Sequence, residues 1–173
     1  MSYFVSGIQQ IGVGCVNFEE SWKWYIDMFD MDVRILEDDT VAERMLRYTG
    51  GKPRRRHASI AVNLQGGSGF EIWQHTEHTP VPCPFRPAAG DLGVFAAVLK
   101  SRDECLAAKY DKVGPVAPRP DGVLSFMVED PWGNTFSIVG DKSVFIERHK
   151  LSGGVVGAMI GCSDIERSLP LYK

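Results

Sequence analysis

Phe70 to His75 alternates as an extended segment should, so Glu71, Trp73 and His75 share one face. A carboxylate and an imidazole on one face can ligate a metal or move a proton, and an indole between them can stack a flat ligand. The run His75-Thr76-Glu77-His78 continues the theme with three ligand types in four residues. It borders a segment with Pro80, Pro82, Pro84 and Pro87, however, and reads as a solvated loop beside an extended linker. Phe95 offers a second flat wall, and Gly12, Gly14, Gly93 and Ala97 leave room between such walls. His57 and His149 stand isolated and read as structural. The basic run Lys52 to Arg56 reads as a solvated tip.

Other chemistries are excluded by what is missing from the pattern. There is no Cys-x-x-Cys pair, no Gly-x-Ser-x-Gly elbow and no phosphate loop. Gly12-x-Gly14 follows a strand, but Asn17 stands where a dinucleotide fingerprint needs its third glycine. Cys15, Cys83, Cys105 and Cys162 are far apart, and Cys15 and Cys162 fall on helix-facing strand positions, so reduced core thiols are expected. A net charge of −3 over 173 residues attracts neither nucleic acid nor an anionic membrane. No apolar run approaches the roughly 20 residues of a membrane span, and Met1 to Gln10 lacks the basic start and apolar core of a signal peptide; a cytoplasmic setting is expected.

The elements that position these residues begin with Gly7 to Phe29. Ile11, Val13 and Cys15 take one strand face, and Gln10, Gly12 and Gly14 the other. Asn17 with Glu20 then caps a helix whose stripe is Phe18, Trp22, Tyr25, Ile26 and Phe29. Aligning Cys15 with Cys162, an offset of 147 (162 − 15), also matches Gly14 to Gly161, Glu19 to Glu166, Ser21 to Ser168 and Tyr25 to Tyr172. Both copies run an alternating strand into an amphipathic helix. The second copy's stripe, Ile165, Leu169 and Tyr172, has no following strands to cover, so the chain reads as a piece of a longer protein or as an arm exchanged in a homodimer.

Between the copies, Met31 to Leu36 reads as a strand, and Glu37 to Gly51 suits either helix or strand. His57 to Leu64 and Phe70 to His75 form a hairpin around Gln65 to Gly69. Past the linker the plan restarts with a strand at Leu92 to Leu99 and a helix at Arg102 to Lys112, capped by Ser101 and Glu104. A Pro-rich crossing at Val113 to Asp121 leads to strands at Val123 to Glu129 and Asn134 to Val139, joined by the turn Asp130 to Gly133.

Two successive βαβββ modules, the Pro-rich join, the helix sequence Ser21-Trp22-Lys23-Trp24-Tyr25 and the turn Asp130-Pro131-Trp132-Gly133-Asn134 resemble the vicinal oxygen chelate superfamily. That superfamily takes in glyoxalase I, bleomycin-resistance proteins and extradiol dioxygenases. The resemblance implies an α+β fold of two paired modules in a cup-shaped, incompletely closed mixed sheet. The expected division is residues 1–79, a linker at 80–90, a second module at 91–142, and a connector with the start of a third module at 143–173. It also implies a divalent metal held at four strand positions, which here are Gln10, Glu71, Gly93 and Ser137. Only Gln10 and Glu71 suit a metal there, Gly93 offering no side chain and Ser137 a neutral hydroxyl, so the metal is expected to be absent from this half.

Two functions follow from the resemblance. One is the N-terminal domain of a longer metal-dependent lyase or dioxygenase, in which Glu71 would be the proton-shuttling carboxylate. The other is a metal-free small-molecule-binding module of the bleomycin-resistance kind, with Gln10, Trp73, His75, Phe95 and Ser137 around the ligand.

Overall fold

A computed structural model describes residues 7–102, 110 and 112–172. Its first sheet has the order β1-β4-β3-β2, from β1 (Gln10–Gly14), β2 (Val33–Val41), β3 (Arg55–Asn63) and β4 (Ser68–His75). β1 runs parallel to β4, and the other neighbours are antiparallel. The second sheet has the order β6-β7-β8-β5-β9, from β5 (Gly93–Ser101), β6 (Lys112–Pro118), β7 (Leu124–Glu129), β8 (Thr135–Gly140) and β9 (Ser152–Gly161). β5 pairs parallel with β8, as β1 does with β4. The result is an α+β fold of two mixed, unclosed sheets, consistent with paired βαβββ modules.

Helix α1 (Phe18–Phe29) forms as its sequence dictates. Asn17 is extended and its side chain accepts from the Glu20 amide, satisfying a donor the helix leaves over. At the other end Asp30 takes the left-handed conformation, with amides returning to Ile26 and Tyr25 carbonyls. The buried face is Phe18, Ser21, Tyr25 and Phe29, with Trp22 and Ile26 half-buried beside it. It packs on Val13, Cys15, Ala61, Phe70 and Ile72 of the first sheet and, in the same cluster, on Leu99, Phe136 and Ile138 of the second. One helix face therefore joins both sheets, and burial of those large side chains contributes about 1.5–3 kcal/mol each.

Several expectations need correction. The strand expected at Met31 to Leu36 is β2, running on to Val41, after which Glu43–Tyr48 forms a 3-10 turn. Arg55 and Arg56 belong to β3 rather than to a loop tip. The Pro-rich crossing is largely a strand, β6, at the sheet edge with an irregular register between Val113 and Ala117; an edge tolerates prolines that a central strand would not. Cys162 is exposed, not a core thiol. Of the helix expected at Arg102 to Lys112, residues 103–109, with Cys105, and residue 111 lie outside the described residues, while Lys112 opens strand β6.

The sequence repeat returns as geometry. Asp164, aligned with Asn17, is extended in the same way and caps Arg167, while Ser21 and Ser168 donate to the carbonyls of Asn17 and Asp164 at 2.7 and 2.8 Å. The paths then diverge. α2 (Ile165–Ser168) passes directly into a 3-10 turn at Leu169–Leu171, where Pro170 supplies no amide. Tyr25 is fully buried and Tyr172 is 69% exposed. The strand before α2, β9, serves instead as the outer neighbour of β5, antiparallel to it.

Candidate functional site

A cavity of about 520 Å3 opens between β1 and the residues just after it, the start of β5, the proline linker and the turn before β8. The first module contributes Ile11 to Val16, Trp73 and His75; the second contributes Val94, Phe95 and the turn from Trp132 to Thr135. Pro80 to Cys83 and Pro87 close one side. Gly12 and Gly14 line it, and a β-carbon built on either meets nothing within 4 Å, so the bare strand face leaves real space. Gly93 lies apart, at a smaller hollow with Phe85 and Leu92 beneath the linker.

Trp73 is held in place from behind. The Arg56 guanidinium sits 5.2 Å from its ring centre and is anchored by Asp38 at 2.6 Å and the Thr40 hydroxyl at 2.8 Å. Hydrogen bonds from Thr40 and then Arg56 hold the Asp38 carboxyl below its ordinary range, keeping it anionic. His75 meets the Trp73 edge at 6.0 Å and stacks on His78 at 5.5 Å. Its Nδ1 is buried with no hydrogen-bond partner, while Glu77 of the same run is turned to Arg54.

The opposite wall is fixed by a buried network. Asp130, 5% exposed, accepts from the Tyr25 hydroxyl at 2.5 Å, from the Asn134 side chain at 2.7 Å and from the amides of Trp132 and Asn134. Asn134 also donates to the Gly14 carbonyl at 3.0 Å. Burial and the Asp130 charge push the Tyr25 hydroxyl far above its ordinary range, so it remains a donor. The turn carrying Trp132 is thereby tied to α1 and β1 across the module boundary.

Of the residues singled out in the sequence, Trp73, His75 and Phe95 line this cavity; Gln10, Glu71 and Ser137 do not. Gln10 and Glu71 do meet, the amide donating to the carboxylate at 3.3 Å. Ser137 is fully buried between Val98 and Met127 in the sheet, its hydroxyl unpartnered, and among the described residues no hydrogen bond joins it to Gln10 or Glu71. Gly93 contributes only backbone. An amide and a carboxylate alone do not fit a tightly held divalent ion at the inherited positions, and the group of three His, Cys, Asp or Glu close enough to share an ion among the described residues does not include Glu71. Sequence reasoning missed a different group, Glu19, Glu37 and His57, whose ligand atoms lie within 4.8 Å of one another. The β2–β3 register was the signal that could have found it, and Glu37 lay in the stretch whose structure was ambiguous.

The cavity also holds two thiols of unlike character. Cys15 is buried, its thiol 3.6 Å from the Trp73 carbonyl, and burial pushes its pKa up, whereas Cys83 is exposed. Alkylation by iodoacetamide at pH 8, followed by peptide mass mapping, should modify Cys83 and Cys162 at least tenfold faster than Cys15. Comparable rates would mean that the β1 wall is open to solvent.

No protein-family model and no curated protein sequence matches the chain. Solved structures do. A glyoxalase family protein from Bacillus cereus superposes with a TM-score of 0.59 at 13% identity, over 82% of this chain and 97% of its own. The glyoxalase family protein from Enterococcus faecalis gives 0.52 at 15%, over 79% and 99%. The glyoxylase/bleomycin resistance protein/dioxygenase domain from Frankia sp. EAN1pec gives 0.50 at 12%, over 79% and 98%. At such identities the likeness is one of fold. Among the described residues no helix is long and apolar enough to cross a membrane.

Proposed function

We propose that this chain, which carries the glyoxalase/bleomycin-resistance/dioxygenase fold, is a binding module that holds a flat, partly aromatic small molecule between its two modules without a metal in the cup. The observation that carries this reading is the cavity, whose aromatic walls come from both modules: Trp73 and His75 from one, Phe95 and Trp132 from the other. Aromatic side chains with few rotatable bonds stack a planar ligand at little entropic cost. The glycines of β1 admit its body, and Arg56, braced by Asp38 and Thr40, keeps Trp73 from turning aside. The unpartnered His75 Nδ1 adds a polar atom at the margin, suited to a ligand with a polar edge.

The test is a calorimetric screen of bicyclic aromatic compounds against the wild type, Trp73→Ala and Phe95→Ala. Compounds that bind should lose about tenfold or more in affinity with Trp73→Ala, in line with the loss of a stacking wall. Binding that ignores both substitutions counts against the proposal.

A second reading has this pair of modules as the N-terminal domain of a longer metal-dependent lyase- or dioxygenase-type enzyme. It is favoured by the exposure of Ile165, Leu169 and Tyr172, a stripe that the first copy keeps covered by its sheet. In that reading the divalent metal is held elsewhere, and Glu71, with Gln10 beside it, is the local carboxylate for proton transfer. Stoichiometric metal in the protein purified from its natural source would favour it over the first.

A further inference from the structure

On the outer side of the first module, away from the cavity, α1, β2 and β3 bring Glu19, Glu37 and His57 together. The geometry points to a divalent-cation site of the zinc type formed by these three side chains. His57 lies flat on Phe18, with ring centres 3.7 Å apart and planes inclined by 26°, which fixes the imidazole. Its Nε2 is 2.7 Å from a Glu37 oxygen. Glu37 and His57 sit on adjacent strands, where Glu37 pairs with Ser59 and Asp39 with His57, so the strand register and not a loop sets their approach. Glu19 comes from the first turn of α1 and is exposed.

The ligand atoms lie within 4.8 Å of one another. Three bonds of about 2.0–2.2 Å to one ion bring ligand atoms to roughly 3.3 Å apart, a closure that rotation of the two exposed glutamates can supply. One nitrogen and two carboxylate oxygens suit a borderline cation such as zinc better than magnesium or calcium, and the exposed side leaves a position for water. The two carboxylates, Glu19 and Glu37, repel one another less once a cation lies between them. In its absence Glu37 is bonded to Arg34, whose guanidinium also lies 3.9 Å from the Trp22 ring centre. Cation binding exchanges that guanidinium for the metal, and Arg34 is therefore a competitor for Glu37.

The experiment is titration calorimetry of zinc chloride into the full chain carrying Cys83→Ser, Cys105→Ser and Cys162→Ser, which removes the two thiols exposed among the described residues together with Cys105. One ion should bind, with an affinity in the micromolar range. His57→Gln, Glu37→Gln and Glu19→Gln should each weaken it at least tenfold; the last is an exposed change that leaves the fold intact and so guards against simple unfolding. Arg34→Gln should tighten binding several-fold, which a diffuse acidic surface would not produce. A double change of His75 and His78 to Asn should leave binding as it was. The site is overturned if no zinc binds at 1 mM, if Glu19→Gln and His57→Gln bind as the wild type does, or if the His75 and His78 changes abolish binding.

Discussion

Asp130→Ala should destabilise the fold by about 3–5 kcal/mol, the range for breaking a buried charged network. The carboxylate is the common acceptor for Tyr25, Asn134 and two turn amides, and alanine leaves buried donors of both modules without a partner. Each neutral donor so stranded costs about 1–3 kcal/mol, offset where water enters. For a chain of this size the loss corresponds to a fall in Tm of about 10 °C or more. Tyr25→Phe removes the bond to Asp130 and the long one from Asn134 at 3.5 Å but keeps the ring against Phe29 and Phe70, so it should cost only about 1–2 kcal/mol. Thermal and urea unfolding of the two variants measure this directly. Equal, small effects would mean that the turn is not what fastens the second module to α1.

The second large effect is expected at a glycine. A β-carbon on Gly66 would lie 1.4 Å from the carbonyl oxygen of Gly153, backbone against backbone, where no rotamer can yield. Gly66→Ala must therefore push the β3–β4 turn away from the start of β9. That junction is held by Asn63 and Gln65, which donate to the Ser152 carbonyl at 3.0 Å each, and by Ser68, which donates to Val155 at 2.6 Å. Buried Gln65 also takes the amides of Arg148 and Lys150. Forcing the two backbones apart should cost about 3 kcal/mol or more. Gly12→Ala, whose new methyl meets nothing, should stay within about 0.5 kcal/mol of the wild type. Chemical denaturation of the pair separates the two cases, and a stable Gly66→Ala protein would show that β9 is not docked on the hairpin.

Those two sites also show which parts of the molecule can be read from residues alone. α1 was legible because its cap, its period and its stripe agree; the second cap, Asp164 at the same offset from Asn17 as the rest of the repeat, emerged only in the structure. The alternation of β4 placed Trp73 and His75 correctly relative to one another, and both reach the cavity. What local pattern does not carry is how strands lie across sequence. β2 is exposed along most of its length and rich in charge, so no apolar period marks its second half. β6 hides behind prolines that only its edge position makes tolerable. Cys162 has the pattern of a buried strand residue, yet it lies just past the end of β9, beyond any pairing with β5. His57 looked isolated because Glu37 and Glu19 come to it through β2–β3 pairing and helix placement, contacts written nowhere near residue 57.

The central proposal is that the hollow beside Gly12 and Gly14 is a ligand site that works without metal. The most direct measurement is the fluorescence titration of 8-anilinonaphthalene-1-sulfonate, an anion with a flat naphthalene ring, into wild-type and Gly14→Phe protein, each with and without EDTA. Position 14 has an ordinary backbone and open space, so phenylalanine should fill the cavity while the fold stands. Saturable binding to the wild type, indifferent to EDTA and at least tenfold weaker in Gly14→Phe, is the predicted result. Binding that EDTA abolishes, or that is the same in both proteins, would contradict it.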